Sequence, residues 1–321
     1  MITSVLILCI GFLLLVKGAD IFVEGASCIA KRLHIPSLII GLTIVAFGTS
    51  APELAVSVTA AIKGSNDIAI GNVVGSNIFN LLVVIGMSAM ICPLSVKQSM
   101  IKKDYPLSIL AVLLLDILIL DRVFKGSEKM TLGRTDGVLL LLGFAVFMYL
   151  TVQEGLKKRR ESLCAQETEV SAKYTMPVSI LLSLVGLAGI IAGGDMTVNG
   201  AKDIARAFGL SEALIGLTIV AVGTSLPELV TSIVAARKGE SDIALGNVVG
   251  SNIFNIFLIL GLSSTILPMT VTETYMYDIG LLAILSILIF IPIARNRRVG
   301  RFMGTLMTCS YVVYTVYLIV R

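Results

Sequence analysis

One stretch of this chain occurs twice. Gly41–Gly86 reads GLTIVAFGTSAPELAVSVTAAIKGSNDIAIGNVVGSNIFNLLVVIG, and Gly216–Gly261 reads GLTIVAVGTSLPELVTSIVAARKGESDIALGNVVGSNIFNIFLILG. The two align without a gap, and about two-thirds of the positions are identical. The register extends upstream, where Asp20 meets Asp195, Gly25-Ala26 meets Gly200-Ala201 and Ile29-Ala30 meets Ile204-Ala205. Chance likeness between apolar segments does not keep Gly, Pro, Glu, Asn and Ser in step, so the chain reads as an internal duplication.

Composition says where the duplication lives. Hydrophobic residues make up 56% of the 321, charged residues only 14%, and the mean hydropathy is +0.96. A soluble fold of this size needs more charge to coat its surface. The chain therefore reads as an all-α polytopic protein of the plasma (inner) membrane, with the lipid bilayer as its solvent. The net charge of +4 fits basic cytoplasmic loops rather than nucleic-acid binding. None of the five cysteines stands in CxxC spacing, so they read as packing residues or free thiols. The single histidine, His34, has no cluster around it and reads as a loop or interface residue. Met1–Val16 lacks a basic start and an A-x-A site and runs on into amphipathic sequence, so it is expected to be a retained first helix.

A helix needs about 20 apolar residues to cross a bilayer. By that measure about ten helices are expected, near 2–30, 37–62, 68–92, 105–121 and 135–153, then 176–205, 212–236, 243–267, 278–294 and 301–320. The polar segment 153–175 links two five-helix repeats, 1–152 and 176–321, expected to form one integrated unit. With that linker in the cytoplasm, Lys and Arg favour the same side by about two to one, which puts both termini outside. An odd number of crossings per half inserts the second copy upside down. Inverted repeats are a transporter architecture, with the cargo site at their interface near mid-membrane.

The repeated motif carries the chemistry, and each copy is expected to interrupt two helices, the second and third in one half and the seventh and eighth in the other. Gly48-Thr49-Ser50-Ala51-Pro52-Glu53 interrupts an apolar run, and Pro52 predicts a break with Glu53 in the first turn of a new half-helix. The positive end of a half-helix favours an ionised Glu, and the unwound backbone frees carbonyls that cannot face lipid. Thr224, Ser225, Pro227 and Glu228 repeat the device. In the next helix Ser76 and Asn80 share a face, as do Ser251 and Asn255. Brought together, the copies supply two carboxylates, hydroxyls, amides and free carbonyls. All are oxygen donors, which suits Ca²⁺ and Na⁺ and not soft metals.

Small residues in membrane helices usually serve packing, and Gly41, Gly71 and Gly75 are read that way. Packing does not account for Glu53 and Glu228, carboxylates in apolar spans with no Lys or Arg to neutralise them. Asp116 has no counterpart in the second half and reads as an interhelical hydrogen-bonding residue. Asp20 and Asp195 read as capping or interface residues at the ends of their helices. Asp67 and Asp242 read as charges complementing helix N-termini.

GTSxPE followed by GNVVGSNIFN, present in two inverted halves, resembles the alpha repeats of the cation/Ca²⁺ exchanger superfamily, and most closely the prokaryotic sodium/calcium exchangers. The resemblance implies that the repeats face each other around a diamond of ion sites while the first and sixth helices slide across that core. It implies Glu53 and Glu228 as central Ca²⁺ ligands shared with Na⁺. It further implies backbone carbonyls from Thr49, Thr224, Ala46 and Ala221, and Na⁺ sites completed by Ser50, Ser225, Ser76 and Ser251. Asn255 departs from relatives that carry Asp there, leaving two formal negative charges. One Ca²⁺ or two Na⁺ would neutralise that pocket, and K⁺ co-transport is disfavoured.

The function expected is a secondary Na⁺/Ca²⁺ antiporter with no cofactor and no enzymatic activity, working as a monomer. A cation/H⁺ antiporter with H⁺ as coupling ion is the first alternative, and an ion channel the second. An intramembrane protease is excluded by the absence of HExxH and GxGD motifs.

Overall fold

A computed structural model describes residues 2–120, 130–164, 172–209 and 221–320. Helix α1 is Ile2–Leu33, and α2 (Ser37–Thr49) and α3 (Ala51–Ile62) follow, bent by 50° to one another. Next come α4 (Asn66–Ile91), α5 (Tyr105–Ile119) and α6 (Arg134–Cys164). The second half holds α7 (Met176–Ala207), a short turn Ala221–Gly223, α8 (Leu226–Arg237), α9 (Ser241–Ile266), α10 (Glu273–Asn296) and α11 (Arg301–Val320).

Among the described residues six helices are long and apolar enough to cross a membrane singly: α1, α4, α6, α7, α9 and α10. The bent pair α2–α3 makes a seventh. Helices α5, α8 and α11 stand at the remaining expected positions, and residues 212–220 of the expected span 212–236 lie outside the described part. So do Arg122, Lys125 and Lys129, which entered the charge count.

Two helices form the centre. The apolar window of α4 is 78% buried and that of α9 is 94% buried, against 28% for α1, α6 and α7. The outer helices turn Leu6, Leu13, Leu142, Leu181, Leu184 and Val313 outward. An apolar exterior of this kind suits acyl chains. The third and eighth spans were expected to be broken. Instead α4 and α9 run on through wide π-helical segments, Asn80–Val84 and Phe254–Leu260. Such segments absorb an extra residue without breaking the helix and are frequent at functional sites.

Helices α1 and α7 pack antiparallel along a glycine seam. A Cβ added at Gly11, Gly18 or Gly25 would come within 2.7 Å of an atom of α7. One added at Gly186, Gly193 or Gly200 would come within 2.8 Å of backbone in α1. Only glycine permits that approach, and its spacing of seven residues keeps all six on one facing stripe. Gly41 and Gly71 pack as expected, an added Cβ lying 3.0 Å from the Ile243 carbonyl in α9 and 2.8 Å from the Tyr275 hydroxyl in α10, whereas one at Gly75 meets nothing within 4 Å.

Helices α3 and α8 end in the same way. Gly64 (φ 71°) and Gly239 (φ 78°) adopt the left-handed conformation, and the amides of Ser65 and Glu240 return to the carbonyls of Ala60 and Ala235, each at 2.9 Å. This glycine-terminated turn feeds α4 and α9 back along their predecessors. Two small antiparallel sheets join the halves. β1 (Leu94–Ser95) pairs with β4 (Arg298–Val299), and β2 (Met130–Leu132) pairs with β3 (Met269–Val271).

The lesser expectations divide. His34 sits in the exposed turn after α1, at φ 55°. All five cysteines are free thiols. Asp67 and Asp242 occupy the first turns of α4 and α9, and Asp242 also pairs with Lys97. Asp20 and Asp195 were expected at helix ends but lie well inside α1 and α7.

Candidate cation site between the two halves

Each half breaks its second helix at one serine. Ser50 stands at φ −84°, ψ 6° and Ser225 at φ −91°, ψ 5°, outside helical geometry. Pro52 and Pro227 follow in the first turn of α3 and α8, where a missing N–H costs nothing. Glu53 and Glu228 lie in the same first turns, near the positive ends of their helices.

The halves then exchange contacts. Ser50 Oγ donates to Glu228 Oε1 at 2.9 Å, and Ser225 Oγ lies 3.1 Å from Glu53 Oε1. Ser225 Oγ is also 3.1 Å from Ser76 Oγ, and Ser251 Oγ donates to Glu228 Oε1 at 3.4 Å. Both glutamates are 0% exposed. The second carboxylate oxygen of each, Oε2, is buried with no hydrogen-bond partner. Buried carboxylate oxygens without a donor are costly unless a cation or a proton neutralises them.

The amides split between scaffold and site. Asn80 Nδ2 donates to Asn252 Oδ1 at 3.2 Å, Asn255 Nδ2 to Asn77 Oδ1 at 2.9 Å, and Asn77 Nδ2 to the Asn252 carbonyl at 3.3 Å. With their NH₂ groups engaged, Asn80 and Asn255 keep buried Oδ1 atoms that lack a partner. Four unpartnered buried acceptors therefore belong to two acids and two amides, in repeat-equivalent pairs.

Thr49 and Thr224 turn their hydroxyls elsewhere. Thr49 Oγ1 donates to Asn247 Oδ1 at 2.9 Å and Thr224 Oγ1 to Asn72 Oδ1 at 3.3 Å. Asn247 in turn donates to Ser232 Oγ (3.0 Å) and the Glu228 carbonyl (3.4 Å); Asn72 donates to Ser57 Oγ (2.9 Å) and the Glu53 carbonyl (3.4 Å). Each asparagine thus ties the helix break of one half to the acid-bearing turn of the other. The carbonyl of Ala46 accepts the Ser50 amide at 3.0 Å, while the second break is tighter, with the Ser225 amide on the Val222 carbonyl at 3.2 Å. Ala221 lies in the turn just before it.

Sequence reasoning missed four residues of this arrangement: Asn72, Asn77, Asn247 and Asn252. Their duplication within GNVVGSNIFN was the available signal. All four bond across the interface between halves, so no single repeat could reveal their roles.

Comparison with known proteins agrees with this architecture. The model of the family described as sodium/calcium exchanger protein matches residues 3–153 and 178–320. The putative antiporter CaxA of Alkalimonas amylolytica is 40% identical over 322 residues, covering 98% of both chains. The sodium/calcium exchanger MaX1 of Methanosarcina acetivorans is 35% identical over 342 residues, covering 98% of this chain and 97% of its own. A structure of the sodium-calcium exchanger NCX_Mj, soaked with Na⁺ and Ca²⁺, superposes with a TM-score of 0.83 at 33% identity, covering 98% and 97% of the two chains. A family model spanning both halves, full-length relatives and a shared fold lead to one conclusion: this chain is a membrane protein of the sodium/calcium exchanger family, a family of antiporters rather than enzymes.

Proposed function

We propose that the protein exchanges Na⁺ for Ca²⁺ across the inner membrane by alternating access. The site is formed by Glu53, Glu228, Ser50, Ser225, Ser76, Ser251, Asn80 and Asn255, with backbone carbonyls from Ala46, Thr49, Ala221 and Thr224. One observation carries the reading. Two fully buried acids are clasped by serines of the opposite half, and each keeps an oxygen with no donor. That set accepts a bare cation and nothing larger.

The coupling follows from charge. An empty pocket with two carboxylates is reluctant to change its exposure, and either Ca²⁺ or two Na⁺ offsets that charge. The two ions compete for the same oxygens, so one is released as the other enters, without ATP. The names borne by MaX1 and NCX_Mj support Na⁺ as the coupling ion. In this reading ten helices form two inverted repeats, the linker 153–175 is cytoplasmic, both termini lie outside, and a monomer suffices.

The test is ⁴⁵Ca²⁺ uptake into vesicles loaded either with Na⁺ or with a pH gradient. Uptake driven by outward Na⁺ is expected. Uptake driven by protons alone would replace Na⁺ with H⁺ as the counter-ion, and conductance with no counter-ion requirement would mark a channel.

A further inference from the structure

The two repeats share their sequence but not their contacts. Asp20 in α1 aligns with Asp195 in α7, and Lys238 after α8 aligns with Lys63 after α3. In the second half the pair is closed: Lys238 Nζ lies 2.8 Å from Asp20 Oδ1 and donates to the Asp20 carbonyl at 2.8 Å. Glu24 stands 3.7 Å from the same ammonium, and Ser27 Oγ donates to Glu240 Oε1 at 2.6 Å. The equivalent pair, Lys63 and Asp195, is open, and both side chains are exposed.

Packing is asymmetric in the same sense. Helix α1 lies along α8, whereas α7 forms no matching seam with α3 among the described residues. Repeat-equivalent positions record the difference: Pro227 and Val230 of α8 are buried, while Pro52 is half-buried and Ala55 of α3 is exposed. The acid-bearing helix of the second half is covered by the first helix of the opposite half, and that of the first half is not.

We infer that Asp20–Lys238 and Asp195–Lys63 are alternating latches, one closed in each access state. The glycine seam makes them mutually exclusive. With backbone against backbone at six glycines, α1 and α7 move as one body. Laying α1 onto α8 holds α7 away from α3, and the reverse motion brings Asp195 toward Lys63. Both lysines sit at helix C-termini set by the Gly64 and Gly239 turns, where a cation also complements the helix dipole. Exposed ion pairs contribute little to stability, which suits a contact that must open in every cycle. The inference rests on the alternating-access part of the proposed function and is indifferent to which ions are carried.

The test is cross-linking in membrane vesicles, in a background with the five native cysteines replaced by alanine. One variant carries Asp20→Cys with Lys238→Cys, the other Asp195→Cys with Lys63→Cys, and both receive a short bifunctional methanethiosulfonate. The first pair is expected to cross-link readily, which also certifies folding and reagent access. The second should cross-link slowly, and several-fold faster when Lys238→Met opens the first latch. Failure of the first pair to cross-link, equal cross-linking rates for the two pairs, or a second-pair rate indifferent to Lys238→Met would each overturn the inference. Ion flux in unmodified vesicles is scored separately, so an error about cargo leaves these outcomes readable.

Discussion

The hydroxyl of Ser50 lies 2.9 Å from Oε1 of Glu228, a residue 178 positions away in the other half of the chain. Ser225 returns the contact to Glu53 at 3.1 Å. The shortest serine contact to each acid comes from the opposite half. A charge-assisted hydrogen bond of this kind contributes about 1.5–3 kcal/mol. Ser50→Ala and Ser225→Ala should therefore raise the Ca²⁺ concentration for half-maximal uptake by about tenfold or more, with normal yield of folded protein. Unchanged half-saturation in both would remove the serines from the site.

Glu53→Gln and Glu228→Gln preserve shape and remove charge. Each is expected to lower Ca²⁺ uptake by about 100-fold or more, since breaking a buried charge set costs roughly 3–5 kcal/mol. Without cation, the variants should melt no lower than the parent, because an uncompensated buried charge has gone. Near-normal uptake in either variant would refute the assignment.

Cation binding should itself stabilise the fold. At 100 times the dissociation constant, added Ca²⁺ contributes about 2.7 kcal/mol. A thermal melt in detergent should shift upward with Ca²⁺ and fall when a chelator is added in Na⁺-free buffer. In Glu53→Gln that shift should be lost.

Asn247 and Asn72 carry the ties between helix breaks. Asn247→Ala leaves Thr49 Oγ1 and Ser232 Oγ without their amide partner, a loss of about 1–3 kcal/mol. Lower thermal stability together with slower exchange is expected. A variant as stable and as fast as the parent would show that the ties are dispensable.

The α1–α7 seam makes a steric prediction. Gly186→Ala would place a methyl 2.5 Å from the Phe22 amide nitrogen, whereas Gly280→Ala meets nothing within 4 Å. Overpacking costs about 1–3 kcal/mol. The first substitution should reduce the amount of folded protein, and the second should not, as read by gel filtration of detergent extracts.

Much of the site was legible because it is written twice. A proline and a glutamate inside an apolar run announce a broken helix and a buried charge, and duplication shows that both recur. The partner asparagines were less legible, since an amide in GNVVGSNIFN reads equally as packing or ligand until the second half is set against it. Continuity of α4 and α9 was also misread. The motif reads as interrupting these helices as well, but each helix widens, at Asn80 and at Phe254, without any local breaker to mark the spot. The unequal covering of α3 and α8 was not legible, because both Asp20–Lys238 and its repeat counterpart Asp195–Lys63 are present in the sequence.

The two small sheets bear on the order of assembly. Met130–Leu132 hydrogen-bonds to Met269–Val271, and Leu94–Ser95 to Arg298–Val299. As the chain leaves the ribosome, both early strands wait for partners more than a hundred residues downstream. The first half of the chain therefore reaches the bilayer with its end loops unclosed, and closes them only when the last hairpins have been synthesised.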